Sequence, residues 1–158
     1  MNFYKLISPG YDELYEEEQK IKLNIIKDNL KIKNSDVLLD VGCGTGMSSD
    51  FECEVIGIEP SLELLKQNKN NNKILAKAEN MPFKDKVFNK VISITSIHNF
   101  DDIGKGIREI KRVGKTDFAF SILKKSKNFG IIEMEIKKNF KINKIIDGKK
   151  DWVYICEA

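Results

Sequence analysis

Glycines at positions 42, 44 and 46 follow directly on the short apolar run Val37-Leu-Leu-Asp-Val41, and Glu59 ends a second apolar run nineteen positions after Asp40. Without a Cβ in the way, such a loop can turn tightly and bring backbone N–H groups against a ligand. A carboxylate at the end of the next strand can accept both ribose hydroxyls of an adenosine cofactor. A glycine-rich loop alone is a weak signal, since ordinary turns use the same residues. Strand, loop, helix, strand and acid in that order make a strong one. Nicotinamide and flavin dinucleotides call for G-x-G-x-x-G, which would place glycine at 47, where Met47 stands. The lysine and Ser/Thr of a phosphate-gripping P-loop are also missing. Asp40, beside the glycines, would repel a pyrophosphate, whereas it suits the cationic sulfonium and ammonium of S-adenosylmethionine.

A second group of polar residues, Thr95, Ser96, His98 and Asn99, stands at the exit of the apolar run Lys90–Ile94. His98 there could orient a substrate or take a proton; its plainer role is to cap the next helix or pack at a cleft rim. Ser96 is a candidate of the same kind. Phe100 reads as core, and Trp152 as an anchor for sheet packing. His98 is the only histidine, and the three cysteines, Cys43, Cys53 and Cys156, lack C-x-x-C spacing. No protein metal site is expected, and reduced thiols of a cytoplasmic protein are the plain reading.

These residues need elements to hold them. Short apolar runs at 37–41, 54–58, 73–76, 90–94 and 117–122 read as strands buried on both faces. Helical spacing appears at 11–30, 61–68, 103–113 and around 126–140. Alternating strand and helix gives an α/β, Rossmann-like, doubly wound and mostly parallel sheet. Residues 141–146 and 152–156, joined by the turn Asp147-Gly-Lys-Lys-Asp151, read as an antiparallel C-terminal hairpin closing the sheet edge. The expected organisation is one domain over 1–158: an N-terminal helical cover (1–35), a cofactor-binding core (36–124), and a helix with the closing hairpin (125–158). Thirteen positions separate Gly46 from Glu59, so the helix after the glycines is expected to be one or two turns long.

Over Tyr11 to Lys124 the chain resembles the class I S-adenosylmethionine-dependent methyltransferases, particularly the branch of the quinone-biosynthesis C-methyltransferases. Tyr11-Asp-Glu-Leu-Tyr15, Leu39-Asp-Val-Gly-Cys-Gly-Thr-Gly46, Gly57-Ile-Glu-Pro-Ser61, Ala78-Glu-Asn-Met-Pro-Phe83 and Val91-Ile-Ser-Ile-Thr-Ser-Ile-His98 carry the likeness. Leu38–Phe51 and Val91–Ile97 are more faintly similar to the eukaryotic ribosomal-RNA guanine-N7 methyltransferase. The resemblance implies that Gly42, Cys43 and Gly44 face the methionine part through their backbone, that Asp40 holds the amino group, and that Glu59 holds the ribose beside Pro60. It implies Ala78 and Glu79 at the adenine edge, Thr95 beside the carboxylate and methyl end, and Tyr11 closing over the cofactor. Lys77 stands where many relatives place an acid, which moves the adenine N6 contact elsewhere, for example to Glu79. The Asn/Asp-Pro-Pro-Tyr signature of methyltransferases acting on adenine or glutamine nitrogen is absent, and no cysteine stands at the fourth-strand exit for covalent pyrimidine-C5 chemistry.

A formal charge of +3 is too small to argue for nucleic acid, but residues 105–150 carry fourteen Lys or Arg against five acids. A solvated lysine-rich face explains that excess; an anionic partner is the alternative. No apolar run approaches the ~20 residues needed to span a bilayer, and no membrane association is expected. Relatives acting on small molecules often add helices after the fourth or fifth strand, whereas here one helix leads from Thr95 straight into the next strand. An open cleft is therefore expected, suited to an acceptor on RNA or protein, or to an activator protein that completes the lid. A small metabolite approached under a mobile Tyr11–Glu18 segment, a non-catalytic subunit and a nucleotide-binding oxidoreductase are the competing readings.

Overall fold

The computed structural model describes residues 9–47 and 49–158, with side chains from residue 14 onward. Helix α1 (Pro9–Leu30) precedes strand β1 (Val37–Val41) and strand β2 (Glu54–Glu59). Then follow α2 (Leu62–Gln67), β3 (Lys73–Leu75), β4 (Phe88–Ile94), a 3-10 turn (Ile97–Asn99), α3 (Ile103–Val113) and β5 (Gly114–Leu123). Helix α4 (Phe129–Asn139) and the hairpin β6 (Lys141–Gly148) and β7 (Asp151–Glu157) complete the order. The seven strands form one sheet in the order β3-β2-β1-β4-β5-β7-β6. The first five are parallel, and β7 pairs antiparallel to both β5 and β6. That is the mostly parallel, doubly wound sheet with a closing hairpin expected from the sequence.

Strand β1 shows why its residues make a central strand. Leu38 turns to one face and packs with Leu23, Ile26 and Leu30 of α1, while Leu39 and Val41 turn to the other and join Ile107, Ile110 and Ile132 of α3 and α4. The period of two thus delivers one strand to two cores. On α3, Ile107, Ile110 and Val113 form the buried stripe, and the Asp102 carboxylate caps the first turn by accepting the Lys105 N–H at 3.0 Å. Lys111 and Arg112 occupy its last turn, where the helix dipole favours cations.

One expectation fails. Residues 42–53 contain turns and no helix among those described, so no helical N-terminus faces the glycines. Too few positions separate β1 from β2 to hold both the glycine turn and a helix that spans the sheet. Phe51 and Cys53 from this connection, with Ile25 and Ile32, pack against the α1-side core instead, and the Lys27 ammonium lies 5.6 Å from the Phe51 ring centre. The helix read over 11–30 is present as α1, so Tyr11–Glu18, a mobile segment only in the small-metabolite alternative, are helical; α1 begins at Pro9, and proline suits a first helical turn because its missing N–H would have no partner there. No helix among the described residues is long and apolar enough to cross a membrane.

The aromatic cluster of Phe118, Phe120 and Phe140 joins β5 to the end of α4, with ring centres 4.6 Å apart for Phe118–Phe140 and 5.3 Å for Phe120–Phe140. Truncating Phe118, which has no exposed surface, to alanine should lower the unfolding free energy by about 3–5 kcal/mol. Urea denaturation checks this, and a loss below about 1 kcal/mol would show that the cluster is not tightly packed.

Candidate functional site

The three glycines are required for three different reasons. All have positive φ, at +79°, +52° and +89° for Gly42, Gly44 and Gly46. A Cβ at Gly42 would collide with the Ser96 hydroxyl, and one at Gly46 would come within 2.5 Å of Asn68 Oδ1. At Gly44 the nearest atom would be Glu59 Oε1, 4.0 Å away, so this face of the backbone opens onto a cleft rather than onto protein. The Gly42 and Cys43 N–H groups both donate to the Ile58 carbonyl at 2.9 Å, locking the turn to the end of β2.

In place of a helix, Asn68 supports the loop. This residue caps the C-terminus of α2 and is 2% exposed. Its Nδ2 donates to the Gly44 carbonyl at 3.1 Å and to Cys43 Sγ at 3.4 Å, while its Oδ1 accepts the Asn70 N–H at 2.9 Å. The Lys73 ammonium donates to its carbonyl. Sequence reasoning missed it, because Asn68 opens an Asn/Lys tract that reads as a surface loop. Nothing in residue type separates this buried amide from its exposed neighbours.

Two acidic residues stand near the ends of the strands that flank the loop. Asp40 is fully buried on β1, and Glu59 is 8% exposed at the end of β2. Glu59 Oε1 accepts the Gly44 N–H at 3.2 Å and Oε2 the Ser61 N–H at 2.9 Å, so its orientation is set from both sides. Burial, with the charges of Asp40 and Glu59 adding to it, pushes the Cys43 thiol up to about 12. Cys43 is therefore an uncharged packing residue whose sulfur fills the space left by Gly57.

A cleft of about 270 Å³ runs from Gly42, Glu59 and Pro60 past Ala78 and Glu79 to Ser96, Asn99 and Asp101. A hollow of about 80 Å³ adjoins it at Gly42 and Leu64 and is lined by Tyr15, Gln19, Cys43, Gly44 and Thr45. Segment 78–83 is held against α3: Met81 N–H donates to Glu109 Oε2 at 3.0 Å, and Arg112 donates to the Phe83 carbonyl at 2.8 Å. Lys77 pairs with Asp101 at 2.8 Å, so an acid does stand on this side of the cleft, but it comes from the bend before α3. Glu79 Oε1 accepts the Asp102 N–H at 3.3 Å.

Three expected residues, Asp40, Thr95 and His98, line neither space. The Thr95 side chain turns to Lys22, Ser121 and Asp151. His98 sits half-buried in the 3-10 turn, its carbonyl accepting from Asn128 Nδ2 at 3.3 Å, and its imidazole is held below the usual histidine range chiefly by burial. The side chain of Tyr11 lies outside the described residues. Among the described residues no cluster of His, Cys, Asp and Glu could hold a metal ion.

Comparison with known proteins adds to this geometry. A family model described as a methyltransferase domain matches residues 39–121. An uncharacterised protein of Methanocaldococcus jannaschii, MJ1252, is 34% identical over 94% of this chain and 66% of its own length. A demethylmenaquinone methyltransferase of Corynebacterium kroppenstedtii is 29% identical over 70% of this chain and 48% of its own. A probable human tRNA methyltransferase 9B is 25% identical over 72% of this chain and 25% of its own. The chain thus spans less than two thirds of the length of these relatives. Among solved structures, PH0226 of Pyrococcus horikoshii superposes with a TM-score of 0.79 at 18% identity, covering 99% of this chain and 98% of that one.

Replacing Asn68 with alanine leaves the Gly44 carbonyl and Cys43 without this donor. The unfolding free energy should fall by about 1–3 kcal/mol, the usual cost of an unsatisfied buried group. Chemical denaturation of Asn68→Ala measures it, and a wild-type midpoint would show that the amide does not support the loop.

Proposed function

The chain belongs to the methyltransferase-domain family of class I S-adenosylmethionine-dependent enzymes, and from that premise we propose that its cleft binds S-adenosylmethionine for methyl transfer to an acceptor at the β4 exit. The observation that carries the reading is the backbone face at Gly44. It is open where a Cβ would stand, beside the Glu59 carboxylate, and the buried Asp40 lies on the strand that leads into the loop. Those charges suit a cofactor bearing an ammonium and a sulfonium, and would repel a dinucleotide's pyrophosphate. The residues present therefore fit this cofactor.

In this reading Asp40 holds the amino group and the Gly42, Cys43 and Gly44 backbone faces the methionine part. Glu59, already oriented by the Gly44 and Ser61 amides, takes the ribose hydroxyls, with Pro60 shaping the turn. Ala78 and Glu79 meet the adenine edge, and Asp101 supplies the acid that Lys77 displaces from the preceding position. Tyr15 and Gln19 bring α1 over the methionine end. When bound, the cofactor supplies a methyl group on a cationic sulfur. The chain's own task is to hold an acceptor near ~3–3.5 Å and in line, with no strong catalytic base required.

The acceptor, in our reading, belongs to a macromolecule, RNA or protein. Between β4 and β5 the described chain adds only the 3-10 turn and α3, and between β5 and the hairpin only α4. Among the described residues no further helix is inserted after β4 or β5, and a cleft open on that side excludes water poorly around a small molecule but admits a group presented on a large one. The basic excess over residues 105–150 favours RNA, with affinity falling as salt rises. The protein incubated with methyl-labelled cofactor and fractionated cell extract should place label in RNA or protein. Label confined to low-molecular-weight material would defeat this assignment.

For the cofactor, Glu59→Ala removes charge-assisted hydrogen bonds to two hydroxyls and should weaken S-adenosylmethionine binding more than tenfold while the protein stays folded. Isothermal calorimetry beside circular dichroism measures both. Unchanged affinity in a folded variant would sink the ribose assignment.

A further inference from the structure

One side of α1 carries Tyr15, Gln19 and Lys22, whose spacing stacks them over successive turns of the helix. Tyr15 and Gln19 line the hollow beside the glycine turn, together with Ile94, the last residue of β4. Lys22 is buried; it donates to the hydroxyl of Thr95, the residue after Ile94, at 2.7 Å and pairs with Asp151 at 3.3 Å. The Thr95 hydroxyl in turn donates to Asp151 Oδ2 at 2.7 Å. Helix α1, the exit of β4 and the start of β7 therefore meet in one buried polar knot, next to the wall that Ile94 gives the hollow.

A second pair fastens the same helix to the same hairpin. Glu18, one turn before Lys22, lies 2.8 Å from the Lys150 ammonium. The neighbours Lys150 and Asp151 thus hold successive turns of α1 through pairs of opposite polarity. A shift of α1 by one turn would set Lys22 against Lys150, or Glu18 against Asp151, and like charges repel. The two pairs fix where the helix stands along its own axis. Buried ion pairs add little stability over apolar residues of the same volume, and their best attested use is to set register.

That position matters because of what the hollow offers. Among the described residues, the hydroxyl and amide side chains lining it are those of Tyr15, Gln19 and Thr45, and no lysine or arginine lines it. A carboxylate in the hollow meets neutral donors, whose hydrogen bonds weaken steeply once distance or angle is lost. We propose that the Gln19 side-chain amide donates to the carboxylate of the cofactor's methionine part, and that the Glu18–Lys150 and Lys22–Asp151 pairs are positioning groups that hold α1 where Gln19 can do so. This rests on reading the cleft as an S-adenosylmethionine site.

S-adenosylhomocysteine and 5′-methylthioadenosine share an adenosine and a neutral sulfur, and of the two only the first has the amino-acid part. Isothermal calorimetry with both ligands, on wild type and on variants shown by circular dichroism to be folded, isolates the methionine end. Gln19→Ala should weaken S-adenosylhomocysteine binding about tenfold, the loss of a hydrogen bond to a charged group, and change 5′-methylthioadenosine binding less than about twofold. Glu18→Gln, which removes a partly exposed pair, should weaken the first by about twofold to fivefold and spare the second. The double variant Lys22→Met with Asp151→Asn takes away both buried charges together and should weaken the first by about fivefold or more, again sparing the second. Where that double variant does not fold, Glu18→Gln and Gln19→Ala decide alone. Wild-type affinity for S-adenosylhomocysteine in these variants would overturn the proposal, and so would an equal loss for both ligands, which marks general damage to the cleft. A wild type that binds neither ligand would instead overturn the cofactor reading, so the two failures are told apart.

Discussion

Most of the site depends on one carbonyl accepting two amides. The Ile58 oxygen takes both the Gly42 and the Cys43 N–H, which ties the exit of β1 to the end of β2 and turns the chain back before any helix can start. From that bond follow the positive φ at Gly42, the space into which Ser96 packs, and the seating of Cys43 against Gly57. It also brings the Gly44 amide to the Glu59 carboxylate, so the loop and its acidic partner are one hydrogen-bonded unit. In a helix-bearing loop the first-turn dipole would supply part of the polarity at this point. Here it comes from individual amides and the Asn68 side chain.

The strands were legible because burial on two faces writes short apolar runs, and 37–41, 54–58 and 90–94 are such runs. The hairpin was legible for a different reason: its alternation and the turn at 147–151 are local. The absent helix was not, because a count of thirteen positions permits either a short helix or a turn stabilised from elsewhere. What decides between them is Asn68, which lies 24 residues from Gly44. Asn68 and the Lys22–Asp151 pair share this property: their residue types are those of any polar surface, and only the fold makes them buried.

Thr95 illustrates the opposite error. Its place at the fourth-strand exit was legible and its side-chain direction was not, because the direction depends on Lys22, Ser121 and Asp151, which arrive from three other elements. Gly42, Gly44 and Glu59 were readable because their roles are local: a backbone conformation and the end of a strand. Residues whose role is to meet a partner distant in sequence leave no such signature.

The Lys22–Asp151 contact also bears on the order of folding events. It joins positions 129 residues apart, and Thr95 lies 73 residues from one partner and 56 from the other. Contacts of that span close late, since loop entropy must be lost before they form. Both strands flanking the glycine turn are complete once Glu59 has been synthesised, whereas the Thr95 hydroxyl gains its Asp151 partner only with β7. A nascent chain shorter than Asp151 would lack the carboxylate that meets both Lys22 and Thr95.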